Sequence, residues 1–172
     1  MKSKHVLVGA VAVLAAAVLI PVSLAGASKG GSATVSVRQS TLGHILVDSR
    51  GHTLYLFGKD KRGMSSCNGA CAVDWPPLIV SGQPRAGAGT KASLLGRTRR
   101  KDGRWQATYN HHPLYTFFED TKKGQTKGEG LNFFGGEWDA VSPAGAKIDK
   151  NDAAGSSGGS SGYGGYGGYG GY

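Results

Sequence analysis

Residues 52–60 read HTLYLFGKD, and residues 112–120 read HPLYTFFED. Five of the nine positions coincide, in the pattern His-x-Leu-Tyr-x-Phe-x-x-Asp. A phrase that returns after 60 positions marks a duplicated structural unit. In an extended strand, side chains alternate between two faces. Tyr55 and Phe57 therefore share a face, with Leu54 and Leu56 on the other; Tyr115 and Phe117 share a face opposite Leu114 and Thr116. The copies preserve the aromatic face, so the face that exchanges Leu for Thr is the less constrained one. The simplest arrangement brings Tyr55, Phe57, Tyr115 and Phe117 together across an internal pseudo-twofold axis, with the tyrosine hydroxyls reaching the surface. Burial of four such rings contributes about 6–12 kcal/mol gross, at about 1.5–3 kcal/mol each. The rival arrangement is an exposed aromatic platform for a ligand.

The residues after each phrase also correspond. Asp60 precedes Lys61-Arg62-Gly63, and Asp120 precedes Thr121-Lys122-Lys123-Gly124. A strand-ending Asp that accepts backbone N–H bonds from the next turn explains both. The alternative, a calcium ligand, needs more oxygen donors than the flanking cations leave room for. A Gly-containing loop then leads to a tryptophan: Tyr55 to Trp75 is 20 residues, and Tyr115 to Trp138 is 23. Each loop is expected to bend the chain back so that its Trp packs near Tyr and Phe.

Helical periodicity is nearly absent, and short apolar runs are bounded by Gly, Asp, Asn and Pro. HILVD (44–48) and TLYLF (53–57) read as a hairpin. LLGRTRR (94–100), RWQATY (104–109) and LYTFF (114–118) read as strands joined by the Asp102-Gly103 and Asn110–Pro113 turns. DWPPLIV (74–80) and EWDAVS (137–142) close the first and second units. The expected fold is mostly β, an antiparallel sandwich or barrel-like sheet from two pseudo-repeats at about 40–82 and 94–148, within a domain of 39–152.

The ends of the chain differ in kind. Lys2 and Lys4 precede an uncharged apolar run from Val6 to Ile20, and Ala25-Gly26-Ala27 offers a small-x-small cleavage site. Residues 1–27 therefore read as a secretory signal peptide, with an uncleaved anchor as the alternative. Residues 28–38 read as a flexible lead-in. Residues 153–172, AAGSSGGSSGYGGYGGYGGY, hold no aliphatic side chain larger than alanine and read as a disordered tail. Its tyrosines suit cross-linking or glycan contact, against the plainer reading of an inert tail.

Removing 1–27 takes away Lys2, Lys4 and no acid, lowering the formal net charge from +9 to +7. For an exported chain the matching partners are an anionic envelope polymer, lipid head groups or a partner protein, and not nucleic acid. A merely solvated basic surface is the alternative. Oligomeric state is not written in the sequence. Export also bears on Cys67 and Cys71, which an oxidising compartment pairs as a disulfide worth about 2 kcal/mol for so short a loop. A zinc site would need further ligands, and no second cysteine pair exists.

With these residues assembled, the chain resembles the bacterial secreted repeat lipoproteins that carry a Tyr-x-aromatic-x-x-Asp motif. The matching positions are Tyr55, Phe57 and Asp60, then Tyr115, Phe117 and Asp120. The runs Cys67-x3-Cys71…Trp75-Pro76-Pro77-Leu78, Tyr109-Asn110-x-His112-Pro113 and Gly130-Leu131-Asn132…Gly135-Gly136-x-Trp138 are similar to the family too. The resemblance covers residues 40–148 and implies an exported, surface-associated protein of undefined activity. Ala27 stands where the family's lipobox places Cys, so thioether lipidation there is excluded. The family's Asn-Gly hairpin turn reads Asn110-His111, which puts histidine where φ is positive.

The chain lacks a nucleophile elbow, a His-Glu-x-x-His helix and a paired-Cys metal framework. His111-His112, with His52, His44 and Met64 as remote helpers, is the best constellation for chemistry. Together they suit copper or haem in a redox protein. His52 and His112 hold equivalent repeat positions, which favours a shared structural role instead. Two functions are therefore expected to compete. One is a non-enzymatic envelope protein without cofactor that binds through an aromatic-rich basic β domain. The other is a secreted metal- or redox-active protein using His111 and His112.

Overall fold

The computed structural model describes residues 32–61 and 63–148. The expected signal segment 1–27 and tail 153–172 lie outside the described residues. Among the described residues ten strands run in chain order: β1 (Thr34–Ser40), β2 (Gly43–Val47), β3 (Tyr55–Phe57), β4 (Ile79–Val80), β5 (Arg85–Ala86), β6 (Leu95–Arg99), β7 (Trp105–Tyr109), β8 (His112–Pro113), β9 (Leu131–Phe133) and β10 (Gly136–Ala140). A one-turn helix, α1 (Cys71–Asp74), separates β3 from β4. The strands form three sheets, ordered β2-β1-β5, β3-β10-β9 and β4-β7-β6, with β8 beside β7. The pairing is antiparallel except for β1 with β5, and the sheets do not close into a barrel.

Turn chemistry places the hairpins. The β6–β7 turn carries Gly103 at φ 81°. The β7–β8 turn puts Asn110 at φ 47° and His111 at φ 66°, the double positive of a type I′ connection. Asparagine tolerates that region, and its side-chain amide also donates to the Gly145 carbonyl at 3.1 Å. For His111 the left-handed conformation costs about 1–2 kcal/mol.

Two expectations need correction. Residues 34–38, assigned to a flexible lead-in, belong to β1. The Thr-Val-Ser-Val alternation hidden in the Gly/Ser-rich approach buries Val35 completely, between β2 on one side and β5 on the other. LYTFF does not form a regular strand; Tyr115 alone makes isolated bridges, to Tyr55 and Pro77. The reason is a crossing of the two repeats.

DWPPLIV does not close the first unit, nor EWDAVS the second. Each closes the other. β10 pairs with β3, setting Trp138 opposite Phe57 and Ala140 opposite Tyr55. In return, Phe118 and Thr116 donate their N–H groups to the carbonyls of Asp74 and Pro76, at 3.0 and 2.9 Å. The bonds recur in pairs: Gly58 N–H to the Glu137 carbonyl (2.8 Å) answers Phe118 to Asp74, and Val141 to Leu54 (3.0 Å) answers Leu78 to Leu114 (2.9 Å). At the centre, Tyr55 donates to the Tyr115 carbonyl at 2.8 Å and Tyr115 donates back at 3.0 Å. That reciprocal bridge marks the pseudo-twofold axis.

Both faces of the motif segments are buried, against the expectation that one is loosely constrained. Tyr55, Phe57, Tyr115 and Phe117 enter an aromatic cluster with Trp75, Trp138, Ile45, Val47 and the cystine. Leu54, Leu56 and Leu114 enter an aliphatic cluster with Val35, Leu46, Val80 and Val141. Only Thr116 is half-exposed, which is why threonine is admitted there.

Because each half lends its closing segment to the other, neither half can complete its own sheet. Fragments 32–90 and 91–148 should each lack a cooperative thermal transition, and an equimolar mixture should recover one. A cooperative melt of either fragment alone, followed by circular dichroism, would show that the crossing is dispensable.

Candidate functional site

The motif residues build the centre first. Trp75 and Trp138 stack at 3.9 Å between centroids and 5° between planes. Phe57 stacks on Trp138 at 4.0 Å, and Phe117 on Trp75 at 4.3 Å. The result is a four-ring pile, Phe57–Trp138–Trp75–Phe117, in which each repeat's phenylalanine covers the other repeat's tryptophan. Tyr55 meets Trp75 edge-on at 5.4 Å, and Tyr115 meets Trp138 edge-on at 5.1 Å. Offset and edge-on ring pairs add about 0.5–1.5 kcal/mol each beyond area burial. Gly128 permits the close approach of its loop: a Cβ there would stand 2.7 Å from Trp75 and 3.0 Å from Tyr55.

The tyrosine hydroxyls do not reach the surface. Tyr55 donates to Asp120 Oδ2 at 2.6 Å, and Tyr115 donates to Asp60 Oδ2 at 2.7 Å. Each tyrosine thus binds the acid of the opposite repeat. The other oxygen of each acid caps its own loop: Asp60 Oδ1 accepts from the Ser66 N–H at 2.7 Å, and Asp120 Oδ1 from the Lys127 N–H at 2.9 Å. Burial, reinforced by the facing carboxylates, pushes both phenols above their ordinary value. Burial also pushes the two carboxyls up, against the hydrogen bonds that pull them down.

The loops that hold this centre differ between repeats. In the first, Cys67 and Cys71 form a disulfide with Cα atoms 5.3 Å apart. Buried Arg100 anchors that loop, donating to Ser65 Oγ (2.8 Å), Gln106 Oε1 (2.6 Å) and the Cys67 carbonyl (2.7 Å). In the second, the β9–β10 hairpin takes the place of the cystine, turning through Phe134 at φ 55° and Gly135 at φ 81°.

One end of the ring pile opens to the surface. A groove of about 410 Å³ has Trp75 and Phe117 as its floor and Phe118 and Phe133 as walls. Phe118 is 56% and Phe133 54% exposed. Asp74, Glu119 and Lys127 stand on its rim. Across the pseudo-twofold axis the equivalent residues differ: Gly58-Lys59 stands where Phe118-Glu119 stands, and Gly136 lies against Phe57, where a Cβ would come within 2.8 Å of the ring. Among the expected site residues, Trp75 and Phe117 line it, whereas Tyr55, Phe57, Asp60, Tyr115, Asp120 and Trp138 are interior framework. Phe118, Glu119, Lys127 and Phe133 were missed by sequence reasoning, and the signal lay in how the two phrases differ rather than in how they agree.

The histidines do not converge. His111 is exposed at its turn and His112 half-buried on β8; burial lowers the His112 pKa. His52 Nδ1 lies 3.7 Å from Asp48, on a different turn. His44 and Met64 are exposed. Among the described residues, no three His, Cys, Asp or Glu side chains come close enough to share a metal ion. Nor, among these residues, is any helix long and apolar enough to cross a membrane.

The raised carboxyls carry a pH signature. The folded chain holds protons on Asp60 and Asp120 more tightly than the unfolded chain does. The stability they contribute is fully present below the unfolded carboxylate value of about 3.9 and is lost as pH rises through the folded values. Exposed Asp102 has the opposite sign, held down to about 2 by hydrogen bonds from Arg104, so its contribution is lost only in stronger acid. Melting temperature should therefore depend less on pH between about 4 and 7 in D60N/D120N than in the parent. Superimposable pH profiles would overturn this assignment.

A family model described as a secreted repeat of unknown function matches residues 36–79 and 96–142, more than half of the chain. No curated protein and no solved structure matches it. The two matched spans are the two halves that interlock at Tyr55 and Tyr115, and they fit an exported protein. The chain belongs to the family of secreted repeats of unknown function, with the repeat present twice.

Proposed function

We propose that this protein is a non-enzymatic, exported binding module that holds a cell-envelope polymer in its aromatic groove. One observation carries the reading: Phe118 and Phe133 stand more than half exposed and line one groove with the stacked rings of Trp75 and Phe117. Isolated exposed apolar residues are ordinary, but two exposed rings lining one groove together with charged side chains are what ligand sites share. The groove volume, about 410 Å³, falls in the range of small-ligand sites, about 300–1,000 Å³. Its chemistry suits a glycan strand. Phenylalanine faces take the C–H faces of sugar rings, Asp74 and Glu119 accept sugar hydroxyl protons, and Lys127 donates to hydroxyl or carboxylate oxygen. The motif acids are not free for catalysis, since each is engaged by a tyrosine and a loop N–H. In this reading the module works without a cofactor. Cleavage after Ala27 releases it without a lipid, so retention at the surface falls to the groove and to the basic surface.

Binding of the purified domain to envelope polysaccharide, measured by co-sedimentation and calorimetry, tests the reading. F118A/F133A should lower affinity by about tenfold or more, equal to about 1.4 kcal/mol. Its melting temperature should stay near that of the parent, because both rings are largely exposed. Undiminished binding by the double variant would refute the groove as the site.

A further inference from the structure

A second surface, separate from the groove, carries charge in an ordered form. On the β6–β7 hairpin, Arg97 and Arg99 lie two residues apart on one strand and so share a face, about 7 Å apart along it. Trp105 sits directly opposite Arg99, and Ala107 opposite Arg97. Both guanidinium groups lie over the Trp105 ring, at 4.3 Å for Arg97 and 5.4 Å for Arg99. A guanidinium held over a ring keeps its N–H donors in its own plane, pointing away from the ring and toward any ligand.

Among the described residues, neither arginine is paired with an acid. Asp102 is the only acidic residue from 91 to 118, a span that also holds Lys91, Arg97, Arg99, Arg100, Lys101 and Arg104. Asp102 is taken by Arg104, whose Nη2 donates at 2.7 Å and whose Nε donates at 3.1 Å, and lies 3.5 Å from Arg100 Nε. The hairpin thus neutralises its own acid through Arg104 and Arg100 rather than through the exposed pair. Surface arginines that merely shield a tryptophan would need neither a shared ring nor freedom from carboxylates, and here both hold.

We propose that Arg97 and Arg99 over Trp105 form a binding track for an extended phosphodiester polymer, one fork per successive phosphate. The forked donors match phosphate oxygens two at a time. With both guanidinium groups over one ring, the two forks stand close enough together to meet successive phosphates of an extended three-carbon polyol-phosphate chain. A flat lipid surface would want charges spread over a face, whereas this pair forms a line along one strand. Lys101 and Arg104, at the turn, extend the positive field beyond the end of the track.

Calorimetric titration of the whole protein with soluble 1,3-poly(glycerol phosphate), at low and at physiological salt, tests the track. Binding should weaken with salt. R97Q/R99Q should lower affinity by about tenfold or more, and R97K/R99K, which keeps the charge but loses the fork, by several-fold. K122Q/K123Q removes the same charge elsewhere and should leave affinity within about twofold. F118A/F133A should leave it unchanged, which separates this track from the groove. The proposal is overturned if R97Q/R99Q and K122Q/K123Q lose affinity equally. It is also overturned if R97K/R99K binds like the parent, or if phosphatidylglycerol vesicles bind while the polymer does not. An unchanged melting temperature of R97K/R99K shows that any loss lies in binding rather than in folding.

Discussion

The reciprocal contact of Tyr55 with Tyr115 organises the rest of the molecule. Their backbones exchange two hydrogen bonds, and their hydroxyls reach past each other to the acid of the opposite repeat. A buried phenol needs a partner, and a buried carboxylate needs several; each here answers the other. Hydrogen bonds to charged groups contribute about 1.5–3 kcal/mol each, and leaving one partner alone costs the full desolvation of the group left behind. The motif acid thus does two things with two oxygens, fixing its own loop with one and the other repeat's tyrosine with the second.

The ring pile and the surface depend on that lock. Exchange of the closing segments carries Trp75 and Trp138 to the axis, where they stack on each other and are capped by phenylalanines from the facing repeat. A floor so closely packed leaves little room for rearrangement beneath the groove. Function then resides where the symmetry is broken. Phe118 replaces Gly58, Glu119 replaces Lys59, and a hairpin replaces the cystine, so Trp75 and Phe117 line a groove at one end of the pile while Gly136 lies against Phe57 at the other. Duplication supplied the scaffold, and divergence supplied the site.

Much of this was legible in the chain. Period-two alternation within a repeated phrase places Tyr and Phe on one buried face, and the spacing of Trp75 and Trp138 brings them near those rings. The Asp102-Gly103 and Asn110-His111 turns announce their hairpins. The pairing of segments, by contrast, was not legible. A local pattern states that DWPPLIV is extended, but whether it pairs within its own repeat or across the axis depends on loop geometry between Asp60 and Trp75. For the same reason the tyrosine hydroxyls read as surface groups, because their acceptors lie 65 and 55 residues away. Strand β1 was obscured by the Gly/Ser-rich composition around it, which masked Val35 and Val37.

The cross-repeat lock can be measured directly by a double-mutant cycle on equilibrium unfolding, with Y55F, D120A and their combination. The cycle should give a coupling energy of about 1–3 kcal/mol for this pair, and a smaller one, under about 0.5 kcal/mol, for Y55F with D60A. Coupling of Tyr55 to the acid of its own repeat, or to neither acid, would contradict the cross-repeat lock.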